Sequence, residues 1–67
     1  GGTKEIDKLI RRLEREIEKQ EQMIVQLDAA IELAAADYQE LSRLLREKES
    51  QEVVLMELME QWEAAQE

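Results

Sequence analysis

Apolar residues recur along this chain at alternating steps of three and four residues, which is the repeat of a coiled-coil helix. Thirteen positions share this repeat: Ile10, Leu13, Ile17, Ile24, Leu27, Ile31, Ala34, Tyr38, Leu41, Leu45, Leu55, Met59 and Trp62. Polar residues interrupt it at Gln20, Lys48 and Glu52. No other period competes with it, so the sequence predicts an all-α protein built from long helices.

Two arrangements fit this repeat: an antiparallel coiled-coil hairpin of two helices, or one continuous helix in a parallel dimer. The alternation of isoleucine and leucine in the first half suits the parallel dimer, and no internal glycine or proline marks a turn. The hairpin is favoured by Asp37-Tyr38-Gln39-Glu40, which has the form of a capping box with Asp37 as N-cap and Glu40 reaching back to it. Folding there also places Gln20 opposite Glu52, so that two interruptions share one polar layer.

The distribution of charge supports the same choice. Residues 1–19 hold six of the nine basic residues, whereas residues 52–67 hold five glutamates and no base. A hairpin brings these stretches together, while a parallel dimer sets each acidic end against its own copy. We therefore predict a single coiled-coil domain over residues 3–67, with helix 1 at about 3–33, a turn at about 34–37 and helix 2 at about 38–66. Residues 1–2 are interpreted as a cloning remnant.

Composition excludes most chemistry. The chain has no histidine, no cysteine and no internal glycine, which excludes histidine catalysis, thiol chemistry, the common transition-metal sites and a phosphate-binding glycine loop. Its seventeen acidic residues are interpreted as a solvated helix surface. No apolar run approaches the roughly 20 residues that span a bilayer. The sequence therefore predicts no enzyme activity, no cofactor and no membrane insertion.

Two stretches in the second half carry a family resemblance: Ala36-Asp37-Tyr38-Gln39-Glu40-Leu41-Ser42-Arg43-Leu44-Leu45 and Leu55-Met56-Glu57-Leu58-Met59-Glu60-Gln61-Trp62-Glu63. The Asp-Tyr helix entry and the Glu-x-Trp-Glu ending resemble the C-terminal coiled-coil domain of ABC-F ATPases, in particular the Uup-type branch. The link Ala34-Ala35-Ala36 departs from the longer link with proline or glycine in many relatives. The resemblance implies a non-catalytic C-terminal accessory arm of a cytoplasmic bacterial protein, whose ATP-binding cassettes lie outside this chain.

The same resemblance implies a role in binding nucleic acid or the ribosome, since the Uup-type domain is associated with DNA binding. Basic residues spaced at i, i+4, i+7 and i+11 form one stripe along helix 1: Lys8, Arg12, Arg15 and Lys19. A second basic cluster near the tip contains Arg43 and Arg46. These six are the candidate contacts to DNA or ribosomal RNA. A net charge of −8 opposes such binding, so a solvated face paired with neighbouring glutamates is the alternative interpretation.

An apolar flank beside the core repeat is the candidate protein interface: Leu9, Met23, Ala30, Leu44, Leu58 and Ala65. We expect this apolar flank to dock on a second copy of the chain or on the cassettes of the parent ATPase, because exposed apolar surface usually marks an interface. Alternatively, the flank widens the seam between the two helices. The alternative function is then a structural or protein-binding coiled coil without a nucleic-acid role.

Overall fold

Two long helices form the molecule, which a computed structural model describes over residues 3–67. Helix α1 spans Thr3–Leu33 and helix α2 spans Tyr38–Gln66. They pack against each other as a hairpin 56 Å long, whereas one unbroken helix of this chain would measure about 100 Å at 1.5 Å per residue. The predicted all-α antiparallel hairpin is confirmed and the continuous helix is excluded. The predicted cloning remnant, residues 1–2, lies outside the described residues.

The turn between the helices is short and needs no glycine. The amide of Ala34 donates to the carbonyl of Ala30 at 3.0 Å, and the amide of Asp37 donates to the carbonyl of Ala34 at 2.8 Å. No residue between 3 and 67 has a positive φ. The alanine triplet therefore reverses the chain with ordinary backbone angles, which is why no glycine or proline marked it in the sequence.

Asp37 caps the start of α2. Its backbone is extended (φ −110°, ψ 100°), and its side chain accepts a hydrogen bond from the amide of Glu40 at 3.2 Å. Such a cap satisfies an amide that has no partner within the helix. The returning half of the predicted capping box is wrong, because the Glu40 carboxylate binds Arg43 and the Asp37 amide binds Ala34.

The seam of α2 differs from the predicted repeat. Its inward positions, buried or half-buried, are Leu41, Leu44, Lys48, Gln51, Leu55, Leu58, Trp62 and Ala65. Tyr38, Leu45 and Met59 were predicted to lie in the core, but they are 85%, 48% and 38% exposed. The prediction carried one heptad register through the whole chain. Leu41, Leu55 and Trp62 lie in the seam as predicted. The turn rotates α2 so that four other seam residues, Leu44, Gln51, Leu58 and Ala65, each lie one residue before the predicted position.

Little of the hydrophobic seam is fully buried. Among residues 3–67, Leu13 at 1% exposure and Leu44 at 6% are the only fully buried apolar residues. Burying one leucine side chain contributes about 1.5–3 kcal/mol. The remaining seam residues are half-buried, as expected where two helices cover each other on one side only. Small losses of packing should therefore have large effects on this hairpin.

A polar layer crosses the middle of the seam. Gln20, 8% exposed, donates its Nε2 hydrogens to the backbone carbonyl of Gln51 at 3.1 Å and to the Gln51 side-chain oxygen. Gln51 in turn donates to Glu47 Oε1 at 3.0 Å. The predicted partner Glu52 is therefore wrong by one residue, for the same reason of helical phase. The pair fixes which residues of α1 and α2 lie opposite each other.

Candidate interaction surfaces

The basic stripe of Lys8, Arg12, Arg15 and Lys19 lies on the outer side of α1, and all four residues are exposed. Its members follow each other by three or four residues, so they share a face that points away from the seam positions Leu13 and Ile17. The two ion pairs within residues 3–67 lie elsewhere in the hairpin. These four cations are therefore open to a partner.

The second basic cluster is partly engaged within its own helix. Arg43 forms an ion pair with Glu40 one turn earlier, and this hydrogen bond raises the pKa of Arg43 and lowers that of Glu40. Arg46 Nε lies 3.5 Å from the backbone carbonyl of Ser42. Both arginines are exposed at the turn end of α2. The basic stripe lies toward the opposite, open end, so the two clusters do not form one surface.

The predicted apolar flank is divided between two environments. On α1, Leu9 and Met23 are 37% and 39% exposed beside the seam, and Ala30 is half-buried. On α2, Leu44, Leu58 and Ala65 are seam residues. Because Leu44 is only 6% exposed, it is used within the hairpin and is not available to a partner. The change of helical phase across the turn separates residues that a single heptad register had placed together.

Lys48 is a charged residue at a seam position, and it reaches out of the seam to Asp28 on α1. Its Nζ lies 2.6 Å from Asp28 Oδ1, so the two helices are joined by an ion pair next to the glutamine layer. This hydrogen bond raises the pKa of Lys48. A lysine here extends its aliphatic stem along the seam while its ammonium group stays accessible to water. The third interruption of the predicted repeat therefore also contributes to alignment of the helices.

An acidic groove runs between α1 and α2 on the side where Glu14 and Met59 emerge. Seven side chains line it: Glu14, Ile17, Glu18, Glu21, Met59, Trp62 and Glu63. Its volume is about 400 Å³, within the usual range of pockets in proteins. The apolar members lie at or beside the seam, whereas the four glutamates are exposed. The groove therefore has an apolar floor and a rim of carboxylates.

Trp62 is the one aromatic side chain that lines this groove. Its indole Nε1 is buried and has no hydrogen-bond partner among the described residues. A buried donor without a partner lowers stability, so the ring is held in place by packing alone. The sequence alone does not indicate this groove. The available signal was the spacing of Glu14, Glu18 and Glu21 at i, i+4 and i+7, but the opposite bank becomes evident only once the phase of α2 is known.

Neither helix has a stretch both long and apolar enough to cross a membrane over the part of the chain described here. Within residues 3–67, no three acidic side chains come together in a way that would hold a metal ion.

Comparisons of the chain with family models, with curated proteins and with solved structures found no match. The class that the geometry defines is an antiparallel helical hairpin with separate basic and acidic surfaces.

Proposed function

We propose that this chain is a non-catalytic helical arm that contacts nucleic-acid phosphates through the basic stripe. The observation that carries the proposal is that Lys8, Arg12, Arg15 and Lys19 share one exposed face and take no part in the ion pairs of residues 3–67. The face has a rise of about 16 Å from first to last residue at 1.5 Å per residue, which matches several successive phosphates.

The resemblance to the C-terminal domains of ABC-F ATPases supports the same reading and supplies its context. In that context the chain is an accessory arm of a cytoplasmic bacterial ATPase, and its partner is DNA or ribosomal RNA. The net charge of −8 works against this role, because a polyanion is repelled by the protein as a whole. Contact must therefore be local, of modest affinity and strongly dependent on salt.

Titration of labelled single-stranded DNA and RNA at several salt concentrations tests the proposal. Four phosphate contacts predict a slope of about −3 in log K against log salt, and a loss of affinity of about 50- to 100-fold between 50 and 200 mM salt. Replacing the four stripe residues with glutamine should remove both the binding and the slope.

A matched pair of double variants separates the stripe from the other bases of α1: Arg12→Gln/Arg15→Gln removes two stripe residues, and Lys4→Gln/Arg11→Gln removes two bases outside the stripe. The two double variants have the same net charge, but only the second keeps all four stripe residues, so it should keep the affinity and the salt slope of wild type. Equal loss of affinity in the two variants would contradict the assignment to the stripe.

A second candidate function is protein binding, and exposed apolar residues on α2 favour it. Val53 and Met56 are 54% and 61% exposed on the outer side of that helix. Partners proposed for such surfaces are a second copy of the chain or the cassettes of a parent ATPase. Sedimentation over a range of concentrations tests self-association, and an absence of nucleic-acid binding at low salt would favour this second function over the first.

A further inference from the structure

The acidic groove is a second surface, distinct in charge from the basic stripe. Glu14, Glu18 and Glu21 stand on the α1 bank and Glu63 stands on the α2 bank, around an apolar floor. Carboxylates at i, i+4 and i+7 lie on one side of a helix. The α1 bank is therefore a continuous row of negative charge about 10 Å long at 1.5 Å per residue, or two helical turns.

The apolar floor of the groove favours an occupant with apolar side chains. Met59 is 38% exposed, and the half-buried Trp62 and Ile17 lie beside it in the groove. Aromatic and methionine side chains in a concave site are favourable contacts for aliphatic groups of a partner. Charged ligands without an apolar part would occupy the rim and leave this floor in contact with water.

The carboxylates of the rim favour an occupant with positive charge. An anionic ligand is excluded by four carboxylates and by the net charge of −8. Lysine or arginine side chains pair with carboxylates and can extend their aliphatic stems across apolar surface. An occupant with apolar residues on one side and bases beside them satisfies both parts of the groove.

A second copy of this chain is a poorer match. Its bases lie mainly in the stripe on the outer face of α1, where Leu9 is the one apolar side chain that lines a hollow with Lys8, Arg12 and Arg15. A single leucine would cover little of Trp62 and Met59, so the stripe would pair mainly with the rim. The complementary shape is instead an amphipathic helix whose apolar edge is flanked by bases.

We propose that the acidic groove binds a cationic amphipathic helix of another protein, with aliphatic side chains over Trp62 and Met59 and with lysines or arginines along the glutamate rim. This is the helix-in-groove mode of peptide recognition, in which apolar anchors recur at i, i+3, i+4 and i+7. The site goes beyond the proposed nucleic-acid contact and does not depend on it.

The probe is a short synthetic peptide of leucine and lysine with leucines at i, i+3, i+4 and i+7. Trp62 is the only tryptophan of the chain, so its fluorescence reports directly on the floor. Binding is expected to shift the emission to shorter wavelength and to protect the indole from a soluble quencher. A peptide of the same composition with leucines scattered around the helix should leave the emission unchanged.

Two variants with equal net charge test the rim. The rim variant carries glutamine at the four groove positions Glu14, Glu18, Glu21 and Glu63, and the control variant carries it at four exposed glutamates elsewhere: Glu32, Glu49, Glu57 and Glu60. The rim variant is expected to bind the peptide at least about tenfold more weakly, and the control to stay within a few-fold of wild type. Circular dichroism establishes that both fold.

The floor is tested by Met59→Ala and Met59→Glu at a partly exposed position that is not part of the seam. Met59→Ala should weaken peptide binding, whereas Met59→Glu should also abolish the shift in emission by placing charge on the floor. Equal weakening in the rim and control variants would overturn the proposal, because it would assign the binding to net charge. Binding of the scattered peptide with the same change in emission would overturn it as well, and so would self-association that the rim variant abolishes.

Discussion

The glutamine layer should make the hairpin less stable than an apolar layer at the same place in the seam. The effects of replacing Gln20 and Gln51 should also depend on each other. Gln20 is 8% exposed and donates to both the backbone carbonyl and the side-chain oxygen of Gln51. Replacing both residues with leucine removes these hydrogen bonds and adds two aliphatic side chains to the seam. Replacing one residue leaves a carboxamide facing a leucine.

The magnitude follows from the burial at this layer. A buried leucine contributes about 1.5–3 kcal/mol, and each hydrogen bond that is lost costs about 0.5–1.5 kcal/mol net. The Gln20→Leu/Gln51→Leu double variant is therefore expected to be about 1–3 kcal/mol more stable than wild type. For a domain of this size, 1 kcal/mol corresponds to about 4–8 °C in Tm. Each single variant should gain less than half of this, because the remaining glutamine loses its partner.

Urea unfolding followed by far-ultraviolet circular dichroism, on wild type, both single variants and the double variant, gives the coupling energy. We expect at least about 1 kcal/mol of coupling between the two positions. Additivity within about 0.5 kcal/mol would refute the reasoning, because it would mean that Gln20 and Gln51 do not stabilise the hairpin as a pair. Polar residues in a seam also select one alignment of the helices. Without this selection the double variant can also associate with other copies, so its average mass in sedimentation should depend more strongly on protein concentration than that of wild type.

Three smaller perturbations test the seam, the turn and the ion pair. Leu13→Ala should destabilise the hairpin by about 2–5 kcal/mol, because Leu13 is 1% exposed, whereas Leu33→Ala at 90% exposure should stay within about 0.5 kcal/mol in the same urea assay. Asp37→Ala should cost about 1 kcal/mol through loss of the N-cap, with Asp37→Asn close to wild type in thermal melts. The pKa of Lys48 is raised in the folded state by Asp28, so its contribution is complete below the ordinary value of 10.5 and is lost as pH rises through the raised value. Above pH 10.5, the free energy of unfolding should therefore fall less steeply with pH in Lys48→Met than in wild type. An unchanged dependence on pH would show that the ion pair does not contribute to stability.

Most of the fold was predictable from the sequence because the responsible signals are local. The three–four repeat of apolar residues specifies the two helices, and the choice of Asp37 as N-cap locates the start of α2. Charge distribution and the two polar interruptions favoured the hairpin, although no ion pair within 4 Å joins the basic stripe to the acidic C-terminal stretch in residues 3–67. Close ion pairs are therefore not required for that preference.

The face of α2 was not predictable from the same repeat. Both Leu44 and Leu45 follow Leu41 at a permitted step, and the same choice recurs at Leu58 and Met59. Which member faces α1 depends on how the turn rotates the second helix, and that rotation is a property of three-dimensional structure. The error in phase also explains why the acidic groove, which needs Met59 at the edge of the seam, was missed.

The rim variant also separates the two proposed activities, because it should change them in opposite directions. Neutralising Glu14, Glu18, Glu21 and Glu63 leaves four fewer negative charges than the −8 of wild type, and it does so close to the basic stripe. Glu18 follows Arg15 by three residues, so the two lie within one helical turn. Charges about 10 Å apart still interact at ordinary ionic strength. Nucleic-acid affinity should therefore rise by about two- to tenfold in the variant whose affinity for the cationic peptide falls.

An unfolded or damaged variant would lose both affinities, so opposite changes exclude a general loss of structure. The control variant with glutamine at Glu32, Glu49, Glu57 and Glu60 has the same net charge as the rim variant. An equal rise in nucleic-acid affinity in both would mean that net charge governs binding to the stripe. A larger rise in the rim variant would show that the nearby carboxylates weaken the positive potential of the stripe. If peptide and nucleic-acid affinities both fell while circular dichroism stayed at the wild-type value, the groove and the stripe would be one composite surface, and treating them as separate sites would be wrong.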